Sequence, residues 1–340
     1  MPRKTQQNKI TSPELWEQVN PDNKQLLEDF LTYLRSIQRS ETTIHGYRND
    51  AEIAFTWCLL HNKNKMFVEW SKRDIVAFQN WMLNDNKNSP ARVRRIKSVL
   101  SSLSNYIEAV LDDEFKDFRP IVRKIENPIN QAVREKTVLT DEQCDELLDK
   151  LSEKGWHEKA CCLALALCSG RRRAELVRFK VSYFSDDNII FGSLYKTPEK
   201  VKTKGRGNGK MLHCYTMVKK FRPYFDAWMQ ERENKGIESE WLFPDPTNPS
   251  EHRMPDTLNS WADTFTRLIG VDFYFHAARH YFTTHLSRSG LPDSVIKEIL
   301  GWESLEMVQL YKDIDGDEEI GKYFSADGIK QVAATGLDEL

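Results

Sequence analysis

Helical apolar spacing fills this chain in two blocks. Between them, from Phe118 to Thr137, the spacing lapses and Pro120 and Pro128 interrupt the backbone. Such a stretch reads as a linker, so the chain has to build two cores rather than one. Its 340 residues are enough for both. In the first block Leu26, Leu27, Phe30, Leu31 and Leu34 share one helix face, as do Val99, Leu100, Leu103, Tyr106, Ile107 and Val110. Start signals separate the helices. Ser71 and Asp74 have capping-box spacing, Trp70 and Ile75 stand at staple spacing, and Ser89-Pro90 supplies a cap followed by proline at the first helical position. Four or five helices are expected. The second block opens with the capping box Thr140-Asp141-Glu142-Gln143 ahead of Leu147, Leu148 and Leu151. It reads as helical except where Ile189, Ile190 and Phe191 lead to Tyr195. There, after the turn Gly205-Arg206-Gly207-Asn208-Gly209, Met211 to Tyr215 return, which predicts a hairpin with a basic, glycine-rich tip.

Composition narrows the setting. The longest apolar run, Ala160 to Cys168, has nine residues, too few to cross a bilayer, and the opening MPRKTQQNKI has no apolar segment behind its basic residues. Six cysteines include no CxxC pair, and three lie in that apolar run, where a thiol behaves as a small hydrophobe. A cytoplasmic protein without a membrane partner is expected. The net charge of −2 is uneven. Beyond Tyr311 three lysines face eight carboxylates, a net −5, so residues 1–311 carry +3. Within that body Arg92, Arg94, Arg95 and Lys97 fall in six positions, Arg171 to Arg173 are consecutive, and 196–210 holds six Lys/Arg against Glu199. Several such clusters together point to a polyanion partner.

Four patterns in the second block carry chemistry: Ser169-Gly170-Arg171-Arg172-Arg173-Ala174-Glu175-Leu176; the lysine-rich hairpin; His276-Ala277-Ala278-Arg279-His280; and Leu300-Gly301-Trp302 followed after nine residues by Tyr311. In this order and spacing they resemble the tyrosine recombinase (phage integrase) family, whose motifs read approximately TGLR-x-x-E-L, a hairpin lysine, H-x-x-R-H, LGH or LGW, and a tyrosine. The resemblance covers most of the chain. It implies a mainly α fold with a small antiparallel sheet, built as a flexible arm (1–20), a helical SAM-like core-binding domain (21–118), a linker (119–137), a mixed α/β catalytic domain (138–324) and a C-terminal helix or tail (325–340) exchanged between protomers or folded back. It also implies a site-specific DNA recombinase acting through a 3′-phosphotyrosyl intermediate. Integration, excision and resolution stay open as outcomes.

The residue chemistry agrees with that implication. A nucleophile that keeps the phosphate conserves the bond energy for rejoining, so neither metal nor nucleotide cofactor is expected; Tyr311 is the candidate. Two guanidinium forks can hold the charge of the transition state, and Arg172 and Arg279 are the candidates. Gly170 and Glu175-Leu176 select Arg172 from the triplet, and the resemblance gives Glu175 the part of orienting an arginine or the histidine. His276 is the group to take the tyrosine proton. Position 277 is alanine, so the glutamate of a zinc-protease H-E-x-x-H is missing. Trp302 can donate an N–H to a phosphate oxygen but cannot move protons. Lys202, Lys204 and Lys210 all lie near the hairpin tip; Lys204-Gly205 precedes the turn as the family lysine does, so Lys204 is the expected general acid. Arg92, Arg94, Arg95, Lys97, Lys202, Arg206 and Lys210 are the expected DNA contacts. His280 and His285 are expected to be buried and hydrogen-bonded. Double-stranded DNA, a homotetramer on that DNA (monomer or weak dimer when free) and accessory bending proteins are the expected partners. A DNA-binding regulator of the same fold, a type IB-like topoisomerase and a telomere resolvase are the alternatives.

Overall fold

The computed structural model describes residues 10–129, 137–203 and 210–314, and the backbone of 324–325 and 328–329. The described residues fall into two compact units, one ending at 129 and one beginning at 137. Both are mainly helical.

The first unit holds α1 (Pro13–Gln18), α2 (Pro21–Ser36), α3 (Glu41–His61), α4 (Lys72–Asn80), which runs into a π turn at Trp81–Asp85, and α5 (Pro90–Val110). Each α-helix starts where a short polar side chain can take an orphan N–H: Ser12, Asn20, Ser40, Ser71 and Ser89 each accept one from the first turn. The apolar faces of α2 and α5 are buried as their spacing requires, except Val110, which sits in the last turn of α5 and is exposed. Trp57, Trp70 and Phe78 fill the centre with ring centroids 5.0 to 6.2 Å apart. Part of the stretch read as a linker is docked. Val122 is buried in this core, and Lys97 on α5 donates to the carbonyls of Ile125 (2.9 Å) and Glu126 (3.0 Å).

The second unit is organised around α7 (His157–Ser169), whose residues from Ala160 to Ser169 are all buried. A helix apolar all round needs cover on every side. It receives that cover from α6 (Asp141–Glu153), α9 (Val218–Asn234) and α11 (Phe275–Arg288). The thiols within α7 are inert core: burial pushes Cys168 up to about 12. Between α8 (Arg173–Leu176) and α9 the β segment differs from the single hairpin that the sequence suggests. Strands β1 (Ile189–Ile190), β2 (Leu194–Lys196) and β5 (Tyr215–Met217) form one antiparallel sheet, with Tyr195 opposite Thr216. Strands β3 (Val201–Lys202) and β4 (Met211–Leu212) form a separate antiparallel pair, with Val201 opposite Leu212. α10 (Thr257–Ile269), α12 (Asp293–Leu300) and α13 (Glu306–Tyr311) complete the unit.

Two glycines fix how the motifs meet. Gly170 ends α7 at φ +59°, and a Cβ there would lie 2.5 Å from Phe282 of α11 and 2.9 Å from Leu300 of α12. Gly301 ends α12 at φ +66°, and a Cβ there would overlap Leu212 of β4. Both positions need the left-handed region and a close approach. Gly170→Ala combines backbone strain with overpacking and is expected to cost about 2–4 kcal/mol. Urea unfolding reads it, and a loss below about 0.5 kcal/mol would contradict that packing.

Candidate active site

The corner between α7 and α8 supplies the first guanidinium. Arg172 precedes α8, and its backbone N–H donates to Glu175 Oε2 (3.1 Å) while its Nη1 pairs with Glu175 Oε1 (3.0 Å). Glu175 is 2% exposed whereas the Arg172 side chain is 35% exposed, so a buried carboxylate holds an arginine that still reaches solvent. Arg279, on α11, is fully buried. Its Nη1 donates to Gly170 O (2.7 Å) and its Nη2 to Leu300 O (3.5 Å), so the two glycine-shaped corners are what aim it. Its Cζ lies 4.7 Å from the centre of the Trp302 ring and 5.6 Å from that of Tyr311. Burial, and then the charges of Arg172 and Arg171, push Arg279 down to about 9, which leaves it a cation at neutral pH.

Two buried donors here, Arg279 Nε and Trp302 Nε1, have no partner among the described residues. Buried donors are ordinarily satisfied. Unmatched N–H groups beside mutually repelling guanidiniums suit an anion. Inorganic phosphate is therefore expected to raise the melting temperature by a few degrees over chloride at equal ionic strength, the behaviour of a ligand that binds only the folded state. No difference between the two salts would contradict an anion site.

Tyr311 is the last residue of α13 and is 6% exposed. Its hydroxyl lies 2.6 Å from His276 Nε2, hydrogen-bond distance for passing its proton to the imidazole. His276 itself faces solvent. One turn along α11, the His280 ring stacks on Tyr311 with centroids 4.4 Å apart, and the Trp302 ring lies tilted against it at 4.9 Å. His280 Nδ1 also lies 3.3 Å from Tyr311 O and 3.4 Å from Asp313 Oδ2, while the Asp313 N–H donates to Thr284 Oγ1 (2.9 Å). The residues beyond the tyrosine are thus tied back to the helix that carries His276 and Arg279. His285 stacks on Tyr281, whose hydroxyl donates to Asp141, and burial lowers its pKa.

The β3–β4 pair docks beside this group, because Leu212 fills the space that Gly301 leaves. Lys210 Nζ donates to Gly301 O (3.3 Å) and lies 3.7 Å from Glu303. Lys202 is exposed on β3, where its carbonyl accepts from Arg178 (2.9 Å). Lys204 and Arg206, the expected general acid and one expected DNA contact, lie outside the described residues.

In the first unit the basic cluster is less free than its sequence suggests. Arg92 Nη2 and Arg95 Nε lie 2.6 and 2.9 Å from the two oxygens of Asp50, which is 1% exposed. Arg94 donates to Pro128 O (3.1 Å) and borders a cleft of about 300 Å³ with Ser98, Ser101, Ser102, Arg123 and Asn127. Lys97 corrects the expectation of a surface contact. It is 3% exposed and donates to Gln79 Oε1 (2.6 Å) as well as the two carbonyls above, so its charge is spent inside the unit. Two residues that sequence reasoning left without a role also stand in these arrangements. Arg171 is buried beside Arg279, and Asp50 orients two arginines; the only sequence trace of the first is an arginine where the TGLR pattern has leucine.

The model of the phage integrase family matches residues 137–318, and that of the phage integrase N-terminal SAM-like domain matches residues 26–117. The SPbeta prophage-derived recombinase-like protein YomM of Bacillus subtilis is 29% identical over 254 residues, 74% of this chain and 73% of that protein. The integrase of Salmonella phage P22 is 27% identical over 68% of this chain and 60% of that protein. Among solved structures, the recombinase XerH bound to palindromic difH substrate in a post-cleavage complex superposes with a TM-score of 0.64 at 16% identity, covering 89% of this chain and 96% of that one. A lambda integrase tetramer bound to a Holliday junction gives 0.62 at 15% identity, covering 85% and 77%.

Proposed function

The chain belongs to the phage integrase family and is a site-specific tyrosine recombinase, and from that premise we propose the part each side chain takes in cutting and rejoining DNA. Tyr311 Oη attacks the scissile phosphorus as its proton passes to His276 Nε2. The P–O5′ bond breaks, the 3′ end becomes esterified to the tyrosine, and the departing 5′ oxygen takes a proton from a hairpin lysine, Lys204 in our reading. Arg172 and Arg279 bind the non-bridging oxygens, Trp302 donates its indole N–H to one of them, and Glu175 holds Arg172 in place. Reversal of these steps, with a 5′-hydroxyl from another strand as nucleophile, rejoins the DNA without an external energy source. The ester keeps the energy of the broken bond, so no metal or nucleotide enters the scheme.

The observation that carries this reading is the Tyr311 hydroxyl 2.6 Å from His276 Nε2, with the ring against Arg279. Every described chemical position is filled, which gives the regulator reading no support. We extend to this chain the tetramer in which lambda integrase is bound to a Holliday junction, with Arg92, Arg94, Arg95, Lys202, Arg206 and Lys210 as phosphate contacts. A role in moving a mobile element within the cytoplasm follows from the same reading. The test uses a duplex selected from a random pool by binding to the protein, nicked so that the leaving fragment diffuses away. A denaturing gel should show a protein–DNA adduct and a released fragment carrying a 5′-hydroxyl. Absence of the adduct under these conditions would overturn the reading.

A further inference from the structure

The end of α12 leaves four carbonyls without a helical partner. The left-handed Gly301 turns the chain so that its N–H donates to Glu298 O (3.1 Å) and that of Trp302 to Lys297 O (3.0 Å). Arginines take the next two carbonyls. Arg171 Nη2 donates to Ile299 O, and Arg279 Nη2 to Leu300 O at 3.5 Å. Arg279 belongs to the proposed phosphate clamp; Arg171 lies outside it. Yet Arg171 is 1% exposed, among the largest fully buried side chains. Its Nε donates to Ser169 O (3.3 Å), and no carboxylate among the described residues lies within ion-pair distance of it. Burying an arginine on two carbonyls and a thiol is costly, and an apolar side chain would fill the space at lower cost.

What the guanidinium adds is position and charge. It ties the Ser169–Arg172 corner to the last turn of α12, directly before Gly301 and Trp302. Its charge reaches the site: it contributes to lowering Arg279, and it is the largest influence opposing the burial that raises the Cys214 thiol. We infer that Arg171 is a positioning residue for strand transfer, a third guanidinium behind Arg172 and Arg279 that sets the Leu300–Gly301–Trp302 turn and strengthens the positive field met by the phosphate. The inference rests on the reading of Arg172 and Arg279 as the phosphate clamp.

The test compares wild type with Arg171→Leu, Arg171→Gln and Arg171→Lys for melting temperature, DNA dissociation constant and single-turnover rate of adduct formation on the nicked duplex. Arg171→Leu is expected to fold and to bind DNA within about threefold of wild type, and to form adduct about 10–100-fold more slowly. Arg171→Lys, which keeps the charge, should recover most of that rate, and Arg171→Gln, which keeps only a donor, should not. Should Arg171→Leu fail to fold, the Lys and Gln pair decides by the same difference. Equal rates for Leu and wild type, or for Lys and Gln, would overturn the inference while leaving the clamp in place. Failure of wild type to form adduct would overturn the clamp reading and this inference with it.

Discussion

Tyr311→Phe is expected to abolish covalent adduct formation, by about 10⁴-fold or more, while DNA binding stays within about threefold of wild type. The asymmetry comes from where the tyrosine sits. Its ring is held by His280 at 4.4 Å, Trp302 at 4.9 Å and His276 at 5.0 Å, and phenylalanine keeps all three contacts. Among the described residues, only the 2.6 Å bond from the hydroxyl to His276 is lost. That bond is worth about 0.5–1.5 kcal/mol, so the fold should survive with a small drop in melting temperature. Among the described residues, the other groups around the ring are a tryptophan, two histidines and a buried arginine, none of which carries a hydroxyl to form the same phosphate ester. Cleavage within about tenfold of wild type would show that the phenol is not the attacking group.

The second large effect separates the two arginines. Arg279→Lys should slow adduct formation by about 10³-fold, because a lysine offers a point charge where the guanidinium bridges Gly170 O and Leu300 O and still keeps Nε for the phosphate. Arg279→Ala should do the same and also destabilise the protein by about 3–5 kcal/mol, because it leaves two buried carbonyls without a donor. Arg172→Ala should lose about 10²–10³-fold in rate with far less effect on stability, since its side chain is a third exposed and its bonds are to Glu175. Parallel measurement of single-turnover rate and urea unfolding reads both. Equal destabilisation by the two alanine variants would contradict the burial difference that distinguishes them.

Much of this was legible in the sequence, for identifiable reasons. The faces of α2 and α5 follow from spacing because each packs along its length on one core. The register of the arginine triplet followed from Gly170 and Glu175, and the structure places Arg172 beside that glutamate. Lys97 reads as a surface residue because its burial depends on residues 119–126, too short and irregular a segment to announce by periodicity that it docks on α5. The β segment reads as one hairpin because strands of two or three residues carry too little alternation to divide it. The sequence marks Arg171 only faintly for a related reason: whether an arginine faces water or an α12 carbonyl is decided by an element 128 residues away. Within this site the sequence offers the residue types, but the close approaches at Gly170 and Gly301 decide which side chains stand together.

The most direct measurement is the position of the covalent link. Trapping the adduct on the nicked duplex, digesting protein and DNA to a peptide bearing one nucleotide, and sequencing that peptide by mass spectrometry should place the phosphate on Tyr311, within α13. Attachment at any other residue, or strand cleavage with no peptide linked to DNA, would contradict the assignment.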